Sequence, residues 1–192
     1  MKTKKQRQRI EVRLAGEGGQ GMILAGILLA EAAAIYDEKN AIQTQSYGPE
    51  ARGGASKAEV IISDKEIDFP EVISADILVA MSQEACDKYA SNLHRDGLII
   101  VDEDKVGRVP VPNVVRIPIT RLALETTGKS ITANVIALGA LVGLTKIVSR
   151  TAIEKAVAAR APRGTEELNK AALDAGFNAV SHLPQLHFPS QM

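Results

Sequence analysis

The chain has 192 residues, with 23 basic and 23 acidic side chains, one cysteine and no tryptophan. That length suits one domain with a real core, and zero net charge leaves no global field to favour nucleic acid or an anionic membrane. Aromatics at 3% make a base-stacking platform improbable; Cys86 alone gives neither an intramolecular disulfide nor a four-thiolate iron–sulfur site, and the three histidines lack zinc-site spacings.

Residues 1–8, rich in lysine and arginine, are expected to be a frayed, disordered basic tail. "RIEVRLAG" (9–16) alternates Ile10, Val12 and Leu14 on one side and then turns into glycines, which predicts a first strand. "QGMILAGILLAEAAAIY" follows as a largely buried helix. Its uncharged run, Gly18–Ala30, is thirteen residues, short of the ~20 a membrane span needs. A strand and a turn separate the basic tail from that run, which argues against a signal peptide. The expected setting is cytoplasmic.

"AIQTQ" (41–45) and "ASKAEVIIS" (55–63) read as second and third strands, and "ADILVAMS" (75–82) as a fully covered one. "SQEACDKYASNL" predicts a helix with Ser82 as N-cap and Cys86 as packing rather than a reactive thiol. "DGLIIVDED" and "NVVRIPI" are further strands. From Arg121 the chain, 121–192, reads as mainly helical, broken at Gly128, Ser149 and "APRG" (161–164). Asn134 is expected to hydrogen-bond at a helix start, and Gly139 and Gly143 to permit close helix approach. Asp102 and Asp104 in "VDEDK" are read as a solvated turn, not a metal site.

Strands alternating with helices predict an α/β, Rossmann-like three-layer sandwich around a mostly parallel sheet, with a helical C-terminal region. One link is exceptional. Ser46–Gly54 is nine residues without a helix, too short for a parallel crossover, so at least one strand should be antiparallel. The first and second strands are expected to be parallel neighbours.

"GEGGQG" (16–21) has the G-x-G-x-x-G spacing after a strand and before a helix. Glycines allow the tight turn, and the helix N-terminus offers amides to an anion. The dinucleotide fingerprint also needs an acid at the end of the second strand, where Thr44, Gln45 and Ser46 stand. A plain tight turn and a phosphate or partner contact therefore stay open beside a stand-alone dinucleotide-binding oxidoreductase. "SYGPEARGG" (46–54) should lie on the same rim, offering Arg52 as a bidentate donor to phosphate or carboxylate.

Taken as a pair, "GEGGQG" and "SYGPEARGG", continued by "DKEIDFPEV", "ADILVAMSQEA" and "ITANVIALGAL", resemble the gamma subunit of 2-oxoacid:ferredoxin oxidoreductases, over about Val12 to Leu144. The resemblance implies a single gamma-type domain, inactive alone, in a multi-subunit enzyme that converts a 2-oxoacid and coenzyme A to acyl-CoA and carbon dioxide while reducing ferredoxin. It implies alpha, beta and ferredoxin-like delta partner subunits. Thiamine diphosphate with magnesium and iron–sulfur clusters would be held by those partners and none by this chain. 2-Oxoglutarate is the preferred substrate, with pyruvate and indolepyruvate types as alternatives. The residues expected to touch coenzyme A or a partner are Gly18, Gly19, Gln20, Gly21, Ser46, Tyr47, Arg52, Gly53 and Gly54, with no catalytic residue and no metal ligand on this chain. Isolated, the chain is expected to expose an apolar docking face and to homodimerise.

Overall fold

The computed structural model describes residues 9–47 and 55–186, so the tail call on 1–8 and the site calls on Arg52, Gly53 and Gly54 lie outside the described residues. Six strands form one sheet in the order β2-β3-β1-β4-β5-β6. They are β1 (Arg9–Glu17), β2 (Asn40–Ser46), β3 (Ala55–Ser63), β4 (Ala75–Ala80), β5 (Leu93–Asp102) and β6 (Val114–Ile117). β3 runs antiparallel to both β1 and β2, while β1, β4, β5 and β6 pair in parallel. The predicted antiparallel strand is therefore present, as the short 46–54 link requires.

One expectation is corrected. β1 and β2 point the same way but are not neighbours, because β3 lies between them. Burial explains the order. Eight of the nine residues of β3 are buried, whereas β2 has no buried residue, so the more apolar arm of the hairpin takes the interior place and the polar arm becomes the edge.

Alternation along the strands divides the core in two. Val12, Leu14, Ile77, Val79 and Ile100 face one side, packed with α1 (Met22–Glu31), α3 (Ile119–Thr127), α4 (Ala133–Thr145), α5 (Arg150–Arg160) and α6 (Glu166–Val180). Leu78, Ala80, Ile99 and Val101 face the other side, beneath α2 (Gln83–Tyr89). The result is a three-layer sandwich with one thick helical layer and one thin one.

Several boundaries shift by a turn or less. α1 passes into a π-helical turn at Ala32–Tyr36, and α2 ends at Tyr89 in a short 3₁₀ turn, so β5 starts at Leu93, three residues earlier than the sequence pattern suggests. Ser82 caps α2 as predicted, its hydroxyl accepting from the Ala85 amide at 3.2 Å. Gly128 ends α3 in the left-handed conformation, and Ser149 caps α5. α4 and α6 cross in backbone contact. A Cβ on Gly139 would sit 2.3 Å from the Leu173 carbonyl oxygen, and one on Gly176 2.1 Å from that of Ile136. The role read for Gly139 thus holds, with Gly176 as its unrecognised counterpart.

Candidate functional site

The carboxyl ends of β1, β4, β5 and β6 share one rim, and the chain divides there. After β1 it enters α1 on one face of the sheet; after β4 it enters α2 on the other. Such a switch point leaves a crevice between the two strand ends, the usual ligand position in open α/β sheets.

Here Gln20 fills the crevice. Its Nε2 donates to the Met81 carbonyl at 3.1 Å, and its Oε1 accepts from the Glu17 amide at 2.7 Å. Gln20 is therefore a brace of the loop. Its side chain is committed within the protein, and its backbone amide donates to the Glu17 carbonyl at 3.2 Å. Gly18 and Gly19 are exposed. Gly21 caps α1 at φ 75°, with no side-chain cap, so the amides of Met22, Ile23 and Leu24 have no acceptor within the helix. The left-handed φ and the contact with Asn134 both favour glycine at this position.

Asn134 locks the loop from behind. Its Nδ2 donates to the Gly21 carbonyl at 3.2 Å, and its Oδ1 accepts from the Val135 amide at 2.9 Å. The second role is the helix-start hydrogen bond read from sequence. The first joins residues 113 apart and has no local signal.

Three links hold the start of β3 beside the first loop and α2. Glu17 pairs with Ala55 in the ladder, the Ser56 hydroxyl donates to the Gly16 carbonyl at 3.2 Å, and Glu84 on α2 accepts from the Ala55 amide at 3.3 Å. Ser46, opposite Lys57 at the end of β2, is exposed, as is Tyr47 with 70% of its surface free. Ser46 and Tyr47 thus stand on the same rim as the first loop, separated from it by the width of β3. Met81 was not singled out from sequence, and Glu84 was read there only as a first-turn residue of the helix that Ser82 caps.

A groove of ≈ 230 Å³ starts at Gly21 and runs along the outer flank of α1. Leu24, Leu28, Ile131, Val135 and Leu168 line it, and Lys129 and Arg160 stand at its edge. Arg160 is engaged by Glu31, an ion pair that raises its already high pKa.

The remaining candidates fall outside this rim chemistry. Asp102 is fully buried rather than part of a solvated turn. Its Oδ2 accepts from the Thr120 amide at 3.1 Å and from the Thr120 hydroxyl, supplying the cap that Pro118 cannot give α3. Asp104 is exposed, and its amide donates to Asp102 Oδ1 at 3.3 Å. Burial pushes the Cys86 thiol pKa up, with the Asp87 charge adding to the shift and Arg116 opposing it. Among the described residues, no three His, Cys, Asp or Glu side chains gather as a metal site, and no helix is long and apolar enough to cross a membrane.

The dinucleotide arrangement fits this rim poorly. It needs a parallel second strand beside the first to carry the ribose-binding acid. Here β3 occupies that place, running the other way, and Gln20 fills the crevice.

Comparison with known proteins follows the loops. The pyruvate ferredoxin/flavodoxin oxidoreductase family model matches residues 11–179. The 2-oxoglutarate synthase subunit KorC of Methanocaldococcus jannaschii is 51% identical over 187 residues, covering 95% of this chain and 100% of that protein. The gamma subunit of a keto/oxoacid ferredoxin oxidoreductase from Geobacter sulfurreducens is 48% identical with a TM-score of 0.83, covering 91% of this chain and 98% of that one. A 2-oxoglutarate:ferredoxin oxidoreductase from Magnetococcus marinus, solved with 2-oxoglutarate, coenzyme A and succinyl-CoA bound, shares the fold at 22% identity and a TM-score of 0.83, over 94% of this chain and 32% of that one. With the family model spanning most of its length and a half-identical relative matched end to end, the chain belongs to the pyruvate ferredoxin/flavodoxin oxidoreductase family, as a gamma-type subunit.

Proposed function

We propose that the chain serves a 2-oxoglutarate-specific enzyme, in which 2-oxoglutarate and coenzyme A give succinyl-CoA and carbon dioxide while two electrons pass to ferredoxin. The observation that carries this choice is the gradient of identity: 51% to a 2-oxoglutarate synthase subunit against 30% to the pyruvate synthase subunit PorC of Methanothermobacter thermautotrophicus, at similar coverage of this chain. The setting is cytoplasmic, and the partners are alpha, beta and ferredoxin-like delta chains.

Thiamine diphosphate with magnesium and the iron–sulfur clusters belong to the partner chains and supply the carbanion and electron-transfer chemistry. This chain's part is positional. The exposed Gly18 and Gly19, the first-turn amides after Gly21, and Ser46, Tyr47, Arg52, Gly53 and Gly54 form a contact edge for coenzyme A or for the subunit beside it. Amides at a helix N-terminus suit a phosphate. Support for this reading is that the end of β2 and the start of β3 flank the first glycine loop on one rim, the latter through the Glu17–Ala55 pairing and the Ser56–Gly16 hydrogen bond. The exposed Leu24, Ile131 and Leu124 would be covered on assembly, or drive self-association in the isolated chain.

The test is reconstitution. Purification with candidate alpha, beta and delta chains should give coenzyme A-dependent dye reduction with 2-oxoglutarate and much less with pyruvate. Preference for pyruvate would overturn the substrate assignment. In the assembled enzyme, Arg52→Ala separates the two contact roles. A raised coenzyme A KM with intact assembly assigns the edge to the coenzyme, whereas lost assembly assigns it to a partner.

A further inference from the structure

The sheet has two edges, and they are built differently. β6 is four residues long, carries Arg116 and follows Pro110 and Pro112. Shortness, charge and nearby proline are the devices by which an edge strand discourages a further partner. β2, at the other edge, has none of them. "NAIQTQS" runs seven residues, about 23 Å at ~3.3 Å each, with no charge and no proline. Its register on β3 is unbroken from Asn40–Ser63 to Ser46–Lys57, so no bulge turns it away.

The outer side of β2 therefore presents groups ready to pair. In an antiparallel ladder, alternate residues turn amide and carbonyl away from the partner, and on an edge strand these face outward along its whole length. Some of the strand's polar groups find local substitutes: Gln43 Nε2 donates to the Thr44 carbonyl at 3.1 Å, and the Ser46 hydroxyl to that of Tyr47 at 3.4 Å. Ala41 packs into the core beside α1, which holds the strand from behind. Ile35, 62% exposed in the turn that contacts β2, and the exposed Tyr47 flank the edge with apolar surface.

A strand of charged residues would find no counter-charge on β2. A second β2 would. It is neutral, of equal length and polar in the same places. A two-fold axis normal to the sheet sets β2 antiparallel to its copy and keeps each face of the sheet continuous. All seven residues pair only when Gln43 lies on that axis. This register puts Ile42 opposite Thr44, Asn40 opposite Ser46, Ala41 opposite Gln45 and Gln43 opposite itself, with no like charges facing each other.

We infer that the outer edge of β2 is a two-fold junction between two copies of this chain, joining their sheets into one. It is a different surface from that of the exposed Leu24, Ile131 and Leu124.

The test uses the full chain. It should sediment as a dimer at on the order of 100 µM, and Gln43→Lys, which sets two like charges face to face, should weaken the dimer about tenfold or more. Cross-linking reads the register. Opposed Cα atoms of an antiparallel pair lie about 4.5–5.5 Å apart, within disulfide range, and the native Cys86 is buried. Under mild oxidant Gln43→Cys should give a disulfide-linked pair. Gln45→Cys should not, because its own copy then lies about four residues, or ~13 Å, along the partner strand. A monomer at that concentration, an unweakened dimer in Gln43→Lys, or equally fast cross-linking of both cysteine variants would overturn the junction. So would hydrogen exchange in the assembled enzyme showing the β2 amides protected by an alpha or beta chain while Gln43→Cys stays uncrosslinked, since another subunit would then hold the edge.

Discussion

The side-chain amide of Gln20 donates to the main-chain carbonyl of Met81 at 3.1 Å, across the point where the chains leaving β1 and β4 diverge to opposite faces of the sheet. The same amide accepts from the Glu17 backbone at 2.7 Å, so one side chain sets the shape of the glycine turn and ties it to the next strand. Replacement by alanine removes both bonds. Gln20→Ala should cost about 1–2 kcal/mol, seen as a lowered midpoint in urea or heat. Gln20→Glu should be no better, since a carboxylate facing the Met81 carbonyl has no proton to give it at neutral pH. A Gln20→Ala protein within a few tenths of a kcal/mol of wild type would remove the brace from this account.

How much of this was legible in sequence differs between the two loops and their setting. The glycine turn, the helix after it and the bounds of β3 follow from local patterns, because strand alternation and turn chemistry act over a few residues. The hairpin's antiparallel sense follows from the length of the 46–54 link. Which arm of that hairpin docks beside β1 is a matter of competing burial, and the difference between "NAIQTQS" and "ASKAEVIIS" carried the answer without being weighed. The Asn134–Gly21 and Gln20–Met81 contacts depend on elements 113 and 61 residues apart and leave no mark in either neighbourhood.

Gly21 and Asn134 offer a double-mutant test of that long-range lock. An alanine at 21 meets two penalties, the left-handed φ of 75° and a Cβ 2.5 Å from Asn134 Nδ2. The first costs ~1–2 kcal/mol wherever the backbone is held there. Gly21→Ala alone should therefore be the more damaging in the wild-type background, and less so when combined with Asn134→Ala, which removes the clash and leaves the strain. Thermal or urea denaturation of the four proteins gives the coupling. Strict additivity would show that the side chain of Asn134 moves aside freely.

Asp102 predicts a structural rather than catalytic phenotype. Its buried carboxylate accepts from Thr120, at the first turn of α3, and from the Asp104 amide in the turn after β5. Asp102→Ala leaves those donors without an acceptor in a place closed to water, with an expected loss of about 2–3 kcal/mol. Asp102→Asn keeps an acceptor for the Thr120 amide and should recover part of it. In the assembled enzyme at a temperature where both variants are folded, KM values should match wild type. An altered coenzyme A KM in a stably folded Asp102→Asn enzyme would contradict the assignment.

Cys86 supplies the pH-dependent prediction. It is fully buried, its Sγ 3.7 Å from the Arg108 carbonyl, and burial is the main cause that lifts its pKa above the ordinary 9.0. For a raised thiol the folded state holds its proton at pH values where the unfolded chain has released it. The folded state is therefore favoured by this group below about pH 9.0, and the contribution is lost as pH rises from there through the folded value. Comparing urea midpoints at pH 8 and pH 10 should show wild type losing more stability than Cys86→Ala over that interval. The same burial should make alkylation of the native thiol at pH 8 at least on the order of a hundredfold slower than that of the unfolded chain, since reagent must wait for an opening of the α2 layer. Rapid alkylation of the folded protein, together with identical pH dependence of the two midpoints, would place the thiol at the surface and break the packing described for α2.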